Sequence, residues 1–146
     1  MPVVRDKSIP KKDDDTNRLG SNQTEGDGAV VRRGIGRTDL KNLDPFLMLD
    51  EFSVTPPAGF PDHPHKGFEI VTYMLEGGIT HQDFAGHKGT IGPGDVQWMT
   101  ASRGIIHSEM PAGGETSKGL QLWINLSSKD KILELFFPLA MPLFPN

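Results

Sequence analysis

The sequence predicts an all-β fold, a single antiparallel barrel or sandwich, and three observations carry that reading. Leu120, Leu122, Ile124 and Leu126 alternate with Gln121, Trp123 and Asn125, the period-two pattern of a strand. Other short apolar runs are separated by turns rich in Gly and Pro, which number 17 and 12 in 146 residues. No segment repeats its apolar residues at helical spacing for eleven residues or more, a pattern gap that excludes a helical bundle.

Taken in order, residues 1 to 28 are mostly polar, with Asp13-Asp14-Asp15 and Gly20-Ser21-Asn22-Gln23, and offer too little apolar area to offset ordering entropy. They read as a loose tail or loop, in which the aspartates cancel the field of Lys11-Lys12. Ala29 to Arg33 and Phe46 to Phe52 read as strands on either side of the Gly34-Ile35-Gly36 turn. That turn is not a dinucleotide loop, because Asp39 holds the third glycine position and no helix pattern follows. Phe68 to Leu75 is apolar on both faces except at Glu69 and Thr72, as in a strand inside a sandwich. Gly77-Gly78 reads as a hairpin turn into Ile79 to Phe84, and Gly92-Pro93-Gly94-Asp95 as a tight turn into Val96 to Thr100. Residues 29 to 131 thus form the expected domain. Residues 132 to 146 are apolar but broken by Glu134, Pro138 and Pro142, a segment that either packs over a bare face or forms an exposed patch.

Composition narrows the function classes. Lys and Arg number 15 against 19 Asp and Glu, a net charge of −4, so no basic field exists for direct nucleic-acid binding. The absence of cysteine excludes disulfides, thiolate metal sites and a Cys nucleophile, and any metal must be held by His and carboxylate. Residues 1 to 12 lack the apolar core of a signal peptide, and no apolar run reaches the ~18 residues of a membrane span. The sequence therefore reads as soluble and intracellular, with the sequons at Asn22 and Asn125 unused.

All five histidines, His63, His65, His81, His87 and His107, fall in one stretch of the chain. On a strand, residues i and i+2 share a face, so His63-x-His65 presents two imidazoles to one side and His107-x-Glu109 presents an imidazole and a carboxylate. Either pair alone could be surface decoration or a hydrogen-bonded core histidine. Together on facing strands they make a three-His, one-Glu set with open positions, which suits Fe(II), Mn, Ni or Cu rather than closed structural zinc. His81, which could line the cavity, and His87, in a loop beside Gly86, stay outside this set. Glu69 rivals Glu109 if the strand runs unbroken from His63, a continuity that a bulge at Gly67 would end. Ser102 and Ser108 near His107 lack the glycine pattern of a nucleophile elbow.

Gly59-Phe60-Pro61-Asp62-His63-Pro64-His65-Lys66-Gly67-Phe68-Glu69 resembles the first cupin motif as pirins carry it. Gly92 to Met99 followed by Gly104-Ile105-Ile106-His107-Ser108-Glu109 resembles the second. Arg32 to Arg37 and Gly119 to Asn125 are also pirin-like, and the likeness runs from about Ala29 to Lys131, with His81 to His87 closest to plant pirins. The resemblance implies a cupin jelly-roll holding one iron through His63, His65, His107 and Glu109, with Glu109 rather than Glu69 as the carboxylate ligand. It implies a nuclear or cytoplasmic protein. Ser102 departs from the glycine more usual there, and the chain leaves the pattern after Lys131, with one cupin domain where pirins have two, as expected of a truncated or alternatively spliced form.

The resemblance implies two kinds of function. One is flavonol (quercetin) 2,3-dioxygenase activity, in which Fe(II) takes the flavonol at open positions, Glu109 accepts the hydroxyl proton, and Phe46, Met48 and Trp98 wall the cavity. The other is a non-catalytic, redox-responsive iron protein that binds a transcription factor or a G-protein α subunit, with no contact to nucleic acid or membrane.

Overall fold

The computed structural model of the chain describes residues 20–132 and 141–142. Its strands are β1 (Asn22–Glu25), β2 (Ala29–Ile35), β3 (Phe46–Val54), β4 (Phe60–His65), β5 (Phe68–Glu76), β6 (Ile79–Asp83), β7 (Lys88–Ile91), β8 (Asp95–Thr100), β9 (Ile105–Pro111), β10 (Ser117–Asn125) and β11 (Met141–Pro142). A 3-10 turn, Asp130–Ile132, follows β10. Every pairing between these strands is antiparallel, in a seven-stranded sheet ordered β1-β2-β3-β10-β5-β8-β11 and a four-stranded sheet ordered β4-β9-β6-β7. This is the all-β antiparallel fold expected from the alternation and the turns, and it agrees with the cupin jelly-roll that the resemblance implies.

Two local readings change, and a third falls mostly outside the described residues. Asn22–Glu25, expected in a loop, pairs with Ala29 to Arg32 as β1, because the glycines Gly26 and Gly28 take positive φ and close a tight turn. Gly77-Gly78 is a corner and not a hairpin turn, since β5 lies in the large sheet whereas β6 pairs with β7 and β9 in the small one. Of the segment 132–146, all but Ile132 and Met141–Pro142 lies outside the described residues, and Met141 and Pro142 extend the edge of β8.

The inner face of the large sheet carries a row of polar residues, one from each of five adjacent strands. Register places Arg33 opposite Asp50, Asp50 opposite Gln121, Gln121 opposite Thr72 and Thr72 opposite Gln97. Two apolar clusters flank that row. Ala29, Val31, Phe52, Val54, Met74, Ile79 and Ile91 pack on one side. Ile70, Met99, Ala101 and Ile105, with Phe68 and Trp123 against them, pack on the other. The core is thus split by a polar belt, which the small sheet covers with its histidines. Burying such a belt is costly unless its groups bond to one another, and Arg33 with Asp50 and Gln121 with Thr72 do so.

Candidate metal centre

β4 and β9 run antiparallel with His63 directly opposite His107. Between Phe60 and His63 the register slips, and within that irregular stretch the Pro61 carbonyl accepts a hydrogen bond from His63 Nδ1 at 2.7 Å. That bond commits the His63 proton to Nδ1 and leaves Nε2 as a lone pair. His63 Nε2 lies 3.0 Å from His107 Nε2. Two nitrogens held side by side on one ion at bonds of ~2.1 Å sit about 3 Å apart, so this spacing is that of two neighbouring ligands.

His65, two residues beyond His63, completes a group whose ligand atoms all lie within 4.8 Å of one another. The ring centroids of the three histidines are 4.5 to 4.9 Å apart. Burial, reinforced by the neighbouring imidazoles, lowers the pKa of His65 and of His107 to about 3. Both rings are therefore neutral at physiological pH, the state that can ligate a metal. His107 Nδ1 is buried and makes no hydrogen bond among the described residues.

Glu109 lies two residues beyond His107, is 4 % exposed, and has Oε2 4.0 Å from His107 Nε2. Gln121 Nε2 donates to both of its oxygens, at 3.1 and 3.3 Å, and Thr72 Oγ1 reaches Oε1 at 3.5 Å. Trp123 Nε1 in turn donates to Gln121 Oε1 at 3.0 Å, which fixes the amide so that its NH2 group faces Glu109. Burial pushes the Glu109 pKa up, opposed by the Gln121 hydrogen bond. A carboxylate held by neutral donors beside the neutral rings of His65 and His107 fits a divalent cation, whose charge would offset the cost of burying the anion.

The other candidates are placed elsewhere. Glu69 belongs to β5 in the opposite sheet and accepts a hydrogen bond from Thr100 Oγ1 at 3.1 Å. The break at Gly67, where φ is +81°, ends the strand that would have joined it to His63. His81 faces Glu109 across β6 and β9, with its ring lying over Gly89, and its pKa is lowered by burial. His87 sits in the loop after β6, 2.8 Å from Asp83. Ser102 is fully buried and its φ is not positive, so its departure from glycine creates no backbone strain.

A cavity of about 430 Å³ opens beside His63, His65 and Glu109, with Met48, Phe52, Phe60, Ile79 and Trp123 among its walls. Met48 lines it as expected, but Phe46 and Trp98 do not. Trp98 alternates with the buried Gln97 and Met99 and so points outward, 39 % exposed. The aromatic wall is Trp123, stacked on Phe68 at 4.6 Å and edge-on to His65 at 5.1 Å. Sequence reasoning missed Gln121, Trp123 and Thr72 as site residues. For Gln121 and Trp123 the signal was the alternation in β10, whose odd-numbered face turns inward while Leu120 on the opposite face is 37 % exposed; Thr72 joins them only through its register with Gln121.

The family model for Pirin matches residues 28–124. The chain belongs to the pirin family. It is 78% identical over 116 residues to the pirin-like protein of Solanum lycopersicum, a match that covers 80% of this chain and 40% of that protein. The chain thus spans about 40% of the length of the curated relatives it matches. Among solved structures, a quercetin 2,3-dioxygenase from Acinetobacter baumannii superposes with a TM-score of 0.73 at 36% identity, covering 84% of this chain and 46% of that one. A bacterial pirin from Escherichia coli in complex with nickel(II) superposes with a TM-score of 0.75 at 25% identity, covering 84% of this chain and 54% of that one. These neighbours share the pirin cupin fold, and its three-histidine group is one that can hold a divalent metal.

Proposed function

We propose that the chain is a metal-dependent dioxygenase acting on flavonols, with Fe(II) held by His63, His65, His107 and Glu109. The observation that carries this reading is the junction of the histidine group with an apolar cavity of about 430 Å³, a size suited to a small aromatic ligand. The likeness to a quercetin 2,3-dioxygenase supports the same substrate class. When bound, the metal would supply Lewis-acid polarisation of the substrate oxygens and a template for dioxygen. The protein's part is to orient and to move one proton. Phe52, Phe60 and Trp123 hold the ring system and exclude water, and Glu109 accepts the hydroxyl proton of the flavonol. Burial raises the proton affinity of Glu109, the direction that a proton acceptor needs. Gln121 keeps the carboxylate aimed and Trp123 keeps Gln121 from flipping. The overall balance is one flavonol and one dioxygen giving one depside and one carbon monoxide.

Oxygen uptake by the Fe(II)-loaded chain with quercetin, followed with an electrode and by product analysis, tests this reading. Uptake matched by depside and carbon monoxide supports it. No uptake above that of free Fe(II) rejects the enzyme and favours the redox-responsive binding protein.

A further inference from the structure

The polar belt does not stop at the metal centre. From Gln121, which touches Glu109, it continues through Asp50 on β3 to Arg33 on β2, and both residues line the same cavity as the histidines. Arg33 Nε and one terminal nitrogen bond the two oxygens of Asp50 at 2.9 and 2.8 Å, and that terminal nitrogen also bonds Glu25 Oε1 at 2.9 Å. Two strand spacings of ~4.8 Å separate Gln121 from Arg33, about 10 Å in all, the span of a two- to three-ring aromatic molecule. Between these polar ends the walls are apolar, including Val31, Met48 and Phe52.

We propose that Glu25, held in place by Arg33 and Asp50, forms a second anchor at the far end of the cavity, whose carboxylate accepts hydrogen bonds from the hydroxyl groups of a polyhydroxylated aromatic substrate. This rests on the flavonol reading and adds a specificity element to it. The chemistry selects a neutral donor. The guanidinium is engaged between two carboxylates, so an anionic ligand would meet the acids and a cationic one would meet Arg33. A phenolic hydroxyl brings no charge and donates to a carboxylate oxygen, a charge-assisted bond stronger than one between neutral groups. Glu25 is the accessible member, its side chain 41 % exposed, whereas that of Asp50 is 5 % exposed.

The test compares quercetin with 3-hydroxyflavone, which keeps the chelating hydroxyl and ketone but lacks the other hydroxyls. Binding to the Ni(II)-loaded full chain, kept anaerobic so that no dioxygen is present for turnover, is measured by calorimetry for the unmutated protein, Glu25→Ala and Glu25→Gln. The proposal expects Glu25→Ala to weaken quercetin roughly tenfold, the loss of one hydrogen bond to a charged acceptor, and to leave 3-hydroxyflavone within about twofold. Glu25→Gln, which keeps an acceptor oxygen, should lose less. Unchanged quercetin binding, or equal losses for both ligands, overturns the anchor while the flavonol reading stands. If neither flavonol binds the unmutated chain, both fall.

Discussion

Gln121 and Glu109 sit on opposite sheets and are joined by a two-pronged contact, with the amide nitrogen 3.1 Å from one carboxylate oxygen and 3.3 Å from the other. The bond ties the small sheet, which carries the histidines, to the large sheet, which carries the polar belt. It satisfies an anion that burial would otherwise penalise heavily. The site is therefore a property of the closed sandwich and not of one motif.

Gln121→Leu should lower metal affinity by about 10- to 100-fold, the usual effect of losing a partner that orients a ligand. Competition with a chelator of known strength measures this. Trp123→Phe should give a smaller loss in the same direction, because Gln121 can then turn its oxygen toward Glu109. Affinities unchanged in both variants would mean that Glu109 needs no help in pointing at the ion.

Acid should weaken the metal-free chain in a defined window. Below a pH of about 6.5 the unfolded chain protonates its histidines, whereas His65 and His107 in the folded state resist protonation down to about 3. Their contribution is present above 6.5 and is lost as pH falls. Glu109, with its raised pKa, acts in the opposite sense, one group against three, since burial lowers His81 as well. The urea midpoint should thus fall between pH 7 and 5, before most carboxylates titrate, and the fall should shrink in His65→Asn. A flat midpoint over that range would contradict the buried, neutral state of the two rings.

Arg33→Ala should destabilise the fold by about 2 kcal/mol, below the ~3 to 5 kcal/mol of a fully buried pair because the Arg33 side chain is 20% exposed. The loss comes from leaving Asp50, itself 4% exposed, without its bidentate partner. Chemical denaturation reads it directly. Asp50→Asn, which removes the buried charge and keeps the shape, should cost less.

Gly119→Ala should be among the most damaging small substitutions, at about 2 to 3 kcal/mol. A Cβ there would lie 2.5 Å from both the Phe52 ring and the Tyr73 carbonyl, and the carbonyl belongs to the sheet and cannot swing away. Gly119 adjoins the register shift of β10 against β5, so the strain would fall on the strand that carries Gln121 and Trp123. A stable variant with unchanged metal binding would show that β10 can move as a unit.

Much of this architecture was legible in the chain. Alternation in Leu120 to Leu126 and the turn at Gly92 to Asp95 located strands because both depend on local geometry. Asp95 indeed closes that turn with bonds to Gly92 at 2.8 and 3.0 Å. The i, i+2 spacing of His63-x-His65 and His107-x-Glu109 placed their side chains together for the same reason. What was not legible depends on which strand neighbours which. Trp98 and Trp123 look alike in sequence, and only the sheet order sets one in the cavity wall and the other outside. Asp50, Gln121 and Thr72 lie far apart in the chain and become a continuous belt only through register. Asn22–Glu25 was read as loop because its composition is polar, yet an edge strand needs only one partner and no buried face.

The proposed metal site of His63, His65, His107 and Glu109 exists only in the folded chain. An anaerobic thermal melt with and without Fe(II), run beside His107→Ala, tests it most directly, since a ligand that binds only the native state must raise its stability. The account predicts a cooperative transition that Fe(II) raises in the unmutated chain and leaves unmoved in His107→Ala. A transition that Fe(II) shifts equally in both, or shifts in neither, would contradict it.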